Sequence, residues 1–301
     1  MPLNRGWSYR EQVGSQAAGQ TVLSYLTATR LHSSEAEWAG RIARGEVEIE
    51  GTRVDRHVIL NSGQTVIWHR PPWDEPAVPT SFSVVYEDDS IVAINKPSGL
   101  PTMPAGGFLD HTLLTLIRET HPGANPLHRL GRYTSGLVLF ARTSMAASTL
   151  TRAWRRHDVK KTYRALGRGT AREATIVIDV PIGPVPHPLI GTVQAASETG
   201  KPSHSTATVV EQRDDQVLFS VTITTGRPHQ VRIHLASAGH PLVGDPVYAA
   251  GGGLKDSPGL PGDGGYLLHA ERLEFVHPAT GEQSVITATP PAQLQTRSER
   301  K

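Results

Sequence analysis

Two short segments of the chain concentrate the side chains that could do chemistry. Residues 128–137 read HRLGRYTSGL, and residues 226–235 read GRPHQVRIHL. Ser135 is not expected to be a hydrolytic nucleophile, because the glycine that a G-x-S-x-G turn places two positions earlier is absent. His229 and His234 are five positions apart, on different faces of a helix, with no acidic side chain at ligand spacing. We therefore expect these histidines to form hydrogen bonds rather than to bind a metal.

Composition limits the chemistry further. The chain has no cysteine, which excludes disulfides, thiolate catalysis and zinc sites with sulfur ligands. The net charge is only +2, so the bulk charge does not indicate a polyanionic partner. Between Arg152 and Arg172, however, eight basic residues are opposed by one acid, Asp158. Such a run is either a phosphate-binding track or a solvated helix face.

Targeting signals are not visible. No run of about 18 apolar residues occurs, and the first residues lack the apolar stretch of a secretory signal. We therefore expect a soluble, cytoplasmic protein without membrane contact. The sequence does not indicate an oligomeric state.

Changes in composition predict five segments. Residues 1–20 form a polar arm, 21–70 a small module, 71–80 a linker, 81–291 the main domain and 292–301 a polar tail. The linker contains the four prolines of the stretch RPPWDEPAVP, which favour an extended and semi-rigid connection.

The small module is predicted to have two helices followed by short strands. Capping residues at Ser33 and Ser34 precede a helix that continues through Ile42, and the alternating stretch 47–54 turns at Gly51. Arginines at three positions, Arg41, Arg44 and Arg53, would form a phosphate-binding face. The alternative is a generic α+β cap with scattered surface arginines.

The main domain mixes strand and helix patterns. Strands are predicted around 82–86, 91–95, 137–140 and 217–223, a helix over 144–157, and a second helix that begins at Pro228 and ends before Gly239. This mixture favours an α+β fold over a nucleotide-binding βαβ array. The Gly- and Pro-rich stretch 251–265 is predicted to be a mobile surface loop.

Several segments, in order, resemble the RluA-type pseudouridine synthases. Residues 128–137 are similar to the motif H-R-L-D-x-x-T-S-G-L of that family, and the other matches are NKPSGLP at 95–101, KTYRA at 161–165, GRPHQVRIHL at 226–235 and GHPLVGDP at 239–246. The small module is similar to the alpha-L RNA-binding module that many of these enzymes carry. The resemblance implies a pseudouridine synthase fold, with a central mixed, mainly antiparallel sheet flanked by helices and loops.

The same resemblance implies a function. Pseudouridine synthases isomerise uridine in ribosomal or transfer RNA, without a cofactor, after the nucleotide leaves the RNA stack. By position, Tyr163 would stack on the extruded base and Arg232 would pair with the catalytic aspartate. Arg129 would fill the place that the nucleotide left. Further RNA contacts would come from Arg132, Thr134 and Lys161.

Gly131 occupies the position of the catalytic aspartate, and a glycine can neither attack nor accept a proton. Three interpretations follow. The chain is a working synthase in which another group, such as Asp110 or Asp245, replaces the carboxylate. It is instead an RNA-binding homologue with impaired catalysis, or the glycine results from a single-base change of an aspartate codon.

Overall fold

The structure, a computed structural model, describes residues 3–300, which divide into two compact units. The small unit extends to Pro76, and the large unit begins at Ala77. This division falls inside the stretch 71–80 that the sequence predicts as a linker. Within the described residues, no helix is both long and apolar enough to cross a membrane.

The small unit has two helices and a four-stranded antiparallel sheet around one apolar core. A capping box begins the second helix, in which the Ser34 hydroxyl accepts from the Glu37 amide and the Glu37 carboxylate accepts from the Ser34 amide. The elements are β1 (Trp7–Gln12), α1 (Val22–Thr29), α2 (Glu35–Ala43), β2 (Val47–Ile49), β3 (Thr52–Arg53) and β4 (Thr65–Arg70), with the strand order β1-β4-β2-β3.

Strand β1 lies within the segment that the sequence predicts as a polar arm. It pairs with β4 from Trp7 opposite Arg70 to Gln12 opposite Thr65. The strand is exposed along nearly its whole length, so its sequence shows no alternation of apolar and polar residues. A pattern search fails here because an edge strand with no buried face has no period to detect.

The large unit contains a ten-stranded sheet, which confirms the predicted α+β fold and its mixed, mainly antiparallel sheet. In the described chain, β15 pairs with β8 in parallel and the other ladders of this sheet are antiparallel. A two-stranded hairpin, β11 with β12, lies outside the sheet. The elements are β5 (Ser83–Glu87), β6 (Ile91–Lys96), α3 (Leu113–Thr120), β7 (Asn125–Pro126), β8 (Ser135–Ala141), α4 (Ser144–Arg156), β9 (Lys160–Arg168), β10 (Thr175–Ile178), β11 (Ile182–His187), β12 (Gly191–Ala196), β13 (Ser205–Arg213), β14 (Gln216–Ile223), α5 (Gln230–Ser237), β15 (Leu268–Val276) and β16 (Gln283–Thr287).

Strand β8 is central and fully buried. Leu137 and Leu139 pack with the core that includes α4, whereas Val138 and Phe140 pack with the core that includes α3. A strand covered on both faces reads as a continuous apolar run, as the sequence does here. Gly136 is required at its start, because a Cβ there would lie 2.2 Å from the Ala270 carbonyl oxygen of β15. The end of the loop before β8 is therefore packed directly against the backbone of β15.

Helix α5 begins at Gln230, two residues later than predicted. His229 adopts a left-handed conformation, with φ of 58°, and stands outside the helix. The buried Gln230 side chain secures this turn, since its carbonyl accepts from the Thr225 hydroxyl and the Arg227 amide. These side-chain hydrogen bonds thus override the preference of Pro228 for the first helical position.

Candidate functional site

The loop before β8 is held by the segment 96–102. The Thr102 hydroxyl donates to the Leu130 carbonyl over 2.9 Å and accepts from the Leu130 amide over 3.2 Å. The Gly99 amide donates to the Arg132 carbonyl over 2.9 Å, and the Ser98 hydroxyl donates to the Tyr133 carbonyl over 2.8 Å. Two of the segments on which the family resemblance depends therefore form one hydrogen-bonded layer.

Lys96 lies at the centre of this layer and is fully buried. Its ammonium donates to the carbonyls of Pro97, Leu100 and Arg132 over 2.8 to 3.0 Å. Burial lowers the pKa of Lys96 to about 7, because no carboxylate offsets the loss of water around the charge. The side chain acts as a cross-link that fixes the course of the loop.

Gly131 lies on the solvent-exposed part of this loop. A Cβ added at Gly131 would lie 3.1 Å from the Tyr266 hydroxyl oxygen and 3.5 Å from the Thr134 hydroxyl oxygen. These two hydroxyls are 3.3 Å apart and share a hydrogen bond. The backbone at residue 131 does not require glycine, so a larger side chain fits if the phenol of Tyr266 moves by a few tenths of an ångström.

Arg232 lies beside this position and is almost completely buried. Its guanidinium binds the Asp245 carboxylate through two bonds, Nε to Oδ2 at 2.7 Å and Nη2 to Oδ1 at 2.8 Å. The guanidinium carbon lies 4.2 Å from the ring centroid of Tyr266 and 5.0 Å from that of Tyr248. The sequence implies that Arg232 lacks its aspartate partner, and the structure shows that Asp245 supplies the missing charge.

Asp245 is not free to react in place of an aspartate at residue 131. Its Oδ1 also accepts from the amides of Val247 and Tyr248, at 2.8 and 3.2 Å. Burial alone would raise the pKa of Asp245, but the hydrogen bonds from Arg232 and these amides lower it below the usual value. The carboxylate is a saturated acceptor that orients Arg232.

Tyr163 on β9 faces the same region. Its ring packs against the core that contains Leu130 and against the core that contains Tyr266. Burial raises the pKa of the Tyr163 hydroxyl to about 12, so the phenol is neutral at physiological pH. The structure thus places Gly131 and Arg232 next to the same residue, Tyr266, and Tyr163 in the apolar clusters that contain Tyr266 and Leu130.

The predicted RNA-binding residues of the large unit differ in their surroundings. Arg129 is exposed and close enough to His229 for its charge to help lower the pKa of that imidazole. Arg132 instead donates to the Gly99 carbonyl and lies over the ring of Phe108, at 4.6 Å. Lys161 is buried and donates to the Thr225 carbonyl over 3.2 Å, and burial lowers its pKa to about 8.

The arginines predicted to form a phosphate-binding face in the small unit are engaged with protein groups. Arg41 lies against both Trp38 and Trp68, with its guanidinium carbon 4.6 and 4.8 Å from their ring centroids. Arg44 pairs with Glu46 at 2.8 Å, and Arg53 packs over Gly45. Their role in RNA binding stays a prediction.

The histidines of the segments that resemble the family have separate partners. His128 accepts from the Leu139 amide over 3.1 Å and stacks on Trp154, and burial lowers its pKa to about 3. His229 contacts the Tyr248 hydroxyl at 2.6 Å, and His234 contacts the Val180 carbonyl at 3.0 Å. In residues 3–300, no group of three histidine, aspartate or glutamate side chains is arranged to hold a metal ion.

The stretch 251–265, predicted to be a mobile surface loop, packs against the site instead. The Pro261 carbonyl accepts from Arg232 over 3.3 Å, and a Cβ at Gly264 would lie 2.5 Å from the Tyr133 ring. The loop closes where Gly244 and Gly265 approach so closely that a Cβ at Gly244 would lie 2.1 Å from the Gly265 carbonyl oxygen. Glycine supplies close backbone contact here as well as flexibility, which sequence reasoning did not consider.

Sequence reasoning also missed Tyr266, whose hydroxyl is the polar atom nearest to the Cβ position of Gly131. The residue follows the glycine-rich stretch and belongs to none of the segments that resemble the family. Its ring is 5% exposed, and burial raises the pKa of its hydroxyl. Tyr266 is recognised as a neighbour of Gly131 only in the folded chain, where the segment after residue 265 lies beside the loop that contains Gly131.

The basic run between Arg152 and Arg172 is not one continuous surface track. Arg164 is buried and pairs with Glu271 at 2.6 Å and with Glu299 at 3.0 Å. The segment predicted as a polar tail thus packs on the sheet, where Leu294 is 1% exposed. Arg152, Arg155 and Arg156 are exposed on α4, as expected for a solvated helix face.

Comparisons with known proteins agree with this geometry. A family model described as RNA pseudouridylate synthase matches residues 90–237. The chain is 40% identical to an uncharacterized RNA pseudouridine synthase of Synechocystis, over 91% of this chain and 96% of that protein. It is 36% identical to RNA pseudouridine synthase 5 of Arabidopsis thaliana, over 99% and 96%.

A bacterial relative and a solved structure extend the comparison. The dual-specificity RNA pseudouridine synthase RluA of Escherichia coli is 36% identical over 68% of this chain and 91% of its own length. The human RNA pseudouridylate synthase domain containing 1 has a TM-score of 0.57 and 27% identity, and the match covers 72% of this chain and 87% of that one.

Proposed function

We propose, on the premise that this chain belongs to the RNA pseudouridylate synthase family, that its large unit isomerises uridine to pseudouridine in structured RNA. The observation that carries the proposal is that Arg232 lies over the ring of Tyr266, whose hydroxyl is next to Gly131 on an exposed loop and whose apolar cluster includes Tyr163. Aromatic rings can stack on an extruded base, and a guanidinium held in one orientation can stabilise negative charge on that base.

The reaction needs little from the protein besides binding and charge stabilisation. The bond between uracil N1 and ribose C1′ breaks, the base turns, and a bond forms between C5 and C1′. The proton of C5 is lost, and N1 gains one, so no cofactor or redox step is needed. Arg232, held in one orientation by Asp245, stabilises negative charge on the detached base, and Tyr163 limits its movement.

Structured RNA is supported as the substrate class by the relatives. A relative in Nitrosomonas europaea is named a ribosomal large subunit pseudouridine synthase, and the RluA relative is named for dual specificity on RNA. Exposed Arg129 and the exposed arginines of α4 provide positive charge on the large unit for a phosphate backbone. We propose ribosomal or transfer RNA as the substrate.

Because residue 131 is a glycine, the proposed reaction has to proceed without an aspartyl nucleophile at that position. The hydroxyls of Tyr266 and Thr134 are the side-chain groups nearest to the place where a carboxylate would stand. Both hydroxyls can orient the ribose by hydrogen bonds, and neither is an ionised nucleophile at neutral pH.

A second candidate function is RNA binding without turnover. Gly131 favours it, since loss of a catalytic nucleophile costs several orders of magnitude in rate. The comparisons do not support this candidate, because the relatives are named as synthases. An activity measurement separates the two.

The test uses RNA with tritium at uracil C5 and measures tritium released to water by the full chain. Ribosomal and transfer RNA transcripts are incubated with the unaltered chain and with Gly131→Asp. Gly14→Asp is the matched control, because Gly14 also lies outside the left-handed region and has nothing within 4 Å of an added Cβ. Release by the unaltered chain is expected. Release by Gly131→Asp only would overturn the proposal and establish the second candidate.

A further inference from the structure

A row of aromatic and arginine side chains lies along one face of the small unit. Trp7 is opposite Arg70 in the β1–β4 ladder, and Tyr9 is opposite Trp68. Directly paired residues of antiparallel strands project to the same face, so these four side chains are neighbours. Trp7 is 48% exposed and Tyr9 is 40% exposed, although both are large aromatic residues.

The guanidinium of Arg70 lies over indole rings. The Arg70 guanidinium carbon lies 3.5 Å from the ring centroid of Trp73 and 6.0 Å from that of Trp68. Tyr9 stacks on the Trp68 ring at 5.2 Å, with 19° between the ring planes. Within residues 3–300, no acidic side chain lies within ion-pair distance of Arg70. Its charge is therefore fixed in place and not neutralised.

An open cleft of about 540 Å³ begins at the end of this row. Two arginines and one indole are among its lining residues, which are Arg5, Gly6, Trp7, Ser8 and Arg70. None of them is acidic. The cleft is a shallow surface depression rather than an enclosed pocket. The backbone runs close beside β4 here, since a Cβ at Gly6 would lie 2.7 Å from the Arg70 carbonyl oxygen.

We infer that this face of β1 binds an unpaired stretch of RNA, with a base stacked on Trp7 and a phosphate against Arg70. Exposed aromatic faces beside fixed cations are the features that bind single strands without reading their sequence. A duplex would not bind in this way, because its bases are already stacked on one another. The inference rests on the proposed function in that it names which part of an RNA substrate the small unit holds.

The face coincides only in part with the one predicted from the sequence. Of the predicted arginines, Arg41 contacts Trp68 of this row, whereas Arg53 is on β3, at the opposite edge of the sheet from β1. The exposed residues Trp7 and Tyr9 come from a segment in which the sequence predicted no element. Small-unit binding would therefore depend on residues 5–9 more than on Arg44 or Arg53.

The experiment measures binding of a fluorescent single-stranded oligouridylate of twelve nucleotides, and of its duplex with oligoadenylate, to the full chain over a range of salt concentrations. Trp7→Ala is expected to weaken single-strand binding roughly ten-fold, and Trp7→Phe to restore most of it. Arg70→Gln is expected to weaken binding and to reduce the salt slope by about 0.7 for one lost phosphate contact.

Arg10→Ala is the matched control, because Arg10 is on the same strand but projects to the other face. It should bind within two-fold of the unaltered chain. If Trp7→Ala and Arg70→Gln bind as tightly as the unaltered chain, or if Arg10→Ala weakens binding as much as they do, the inference is overturned. Duplex that binds as tightly as the single strand would also overturn it.

Tritium release by the unaltered chain reports the proposed function separately. Single-strand binding that depends on Trp7 without tritium release keeps this inference and overturns the proposed function. Tritium release together with binding that does not depend on Trp7 or Arg70 keeps the proposed function and overturns this inference.

Discussion

Asp245→Asn is expected to destabilise the large unit strongly. The side chains of Arg232 and Asp245 are 2% and 1% exposed, so water cannot replace either partner. If the asparagine oxygen keeps the bonds that Oδ1 accepts from Arg232 Nη2 and the amides of Val247 and Tyr248, its amide nitrogen faces Arg232 Nε. Two donors then meet at a distance where a hydrogen bond of 2.7 Å stood before.

The expected magnitude follows from this geometry. Loss of one charge-assisted hydrogen bond costs about 1.5–3 kcal/mol. The guanidinium also loses its counter-charge while it stays buried, and breaking a buried pair in this way costs about 3–5 kcal/mol in total. We expect a decrease of that size in the free energy of unfolding of the large unit.

Urea unfolding at pH 7, followed by far-ultraviolet circular dichroism, measures the change. Four of the five tryptophans lie in the small unit, so tryptophan fluorescence reports mainly on that unit and gives an internal reference. Glu274→Gln is the control, because this carboxylate lies beside Lys160 and Arg272, which are 56% and 42% exposed. The control should lose at most about 1 kcal/mol.

A loss below about 1 kcal/mol for Asp245→Asn would refute the argument, because it would show that the pair is solvated. The double variant Arg232→Met with Asp245→Asn should recover part of the lost stability, since it leaves no buried charge and keeps an acceptor for the amides of Val247 and Tyr248. The pKa of Asp245 is lowered in the folded protein, so the stability that it contributes is present above its unfolded pKa and is lost as the pH falls through its folded pKa.

Two further changes test other parts of the large unit. The pKa of His128 is lowered to about 3 by burial, so stability should fall as the pH is lowered from 6.5 towards 3, while the unfolded chain alone takes up the proton. His128→Gln keeps an acceptor for the Leu139 amide and should flatten that dependence by up to about 1.4 kcal/mol per pH unit, measured as urea midpoints at pH 7, 6 and 5. Parallel curves would contradict this. Arg164→Ala removes the partner of Glu271 and Glu299, and we expect a loss of about 2–3 kcal/mol and faster proteolysis after Leu294. Arg272→Ala, at a side chain that is 42% exposed, is the control, and an unchanged rate of proteolysis for Arg164→Ala would contradict the pairing.

The family and the fold class could be predicted from the sequence, whereas the roles of the site residues stay predictions. Local patterns suffice for this, because a capping box such as Ser34 with Glu37 is satisfied within four residues, and the apolar run of β8 records burial on both faces. The segments that contain Gly131, Tyr163 and Arg232 predicted a site for the same reason, since each is a short and specific string.

The partners of those residues were decided by the tertiary structure. Asp245 is 13 positions from Arg232, and the hydroxyl of Tyr266 is 132 positions from that of Thr134. No periodicity or spacing predicts these contacts, because they depend on where the chain returns after the stretch 251–265. Arg164 was interpreted as a surface cation for the same reason, since Glu299 neutralises it from the far end of the chain.

By itself, the sequence determined that the carboxylate at residue 131 is missing, and it left open which group, if any, replaces it. The tertiary structure decided which groups surround the vacant position, namely the hydroxyls of Tyr266 and Thr134 and a guanidinium already paired with Asp245. The physical reason is that side-chain chemistry is a property of single residues, whereas distance, burial and charge compensation are properties of segments that meet only in the folded chain.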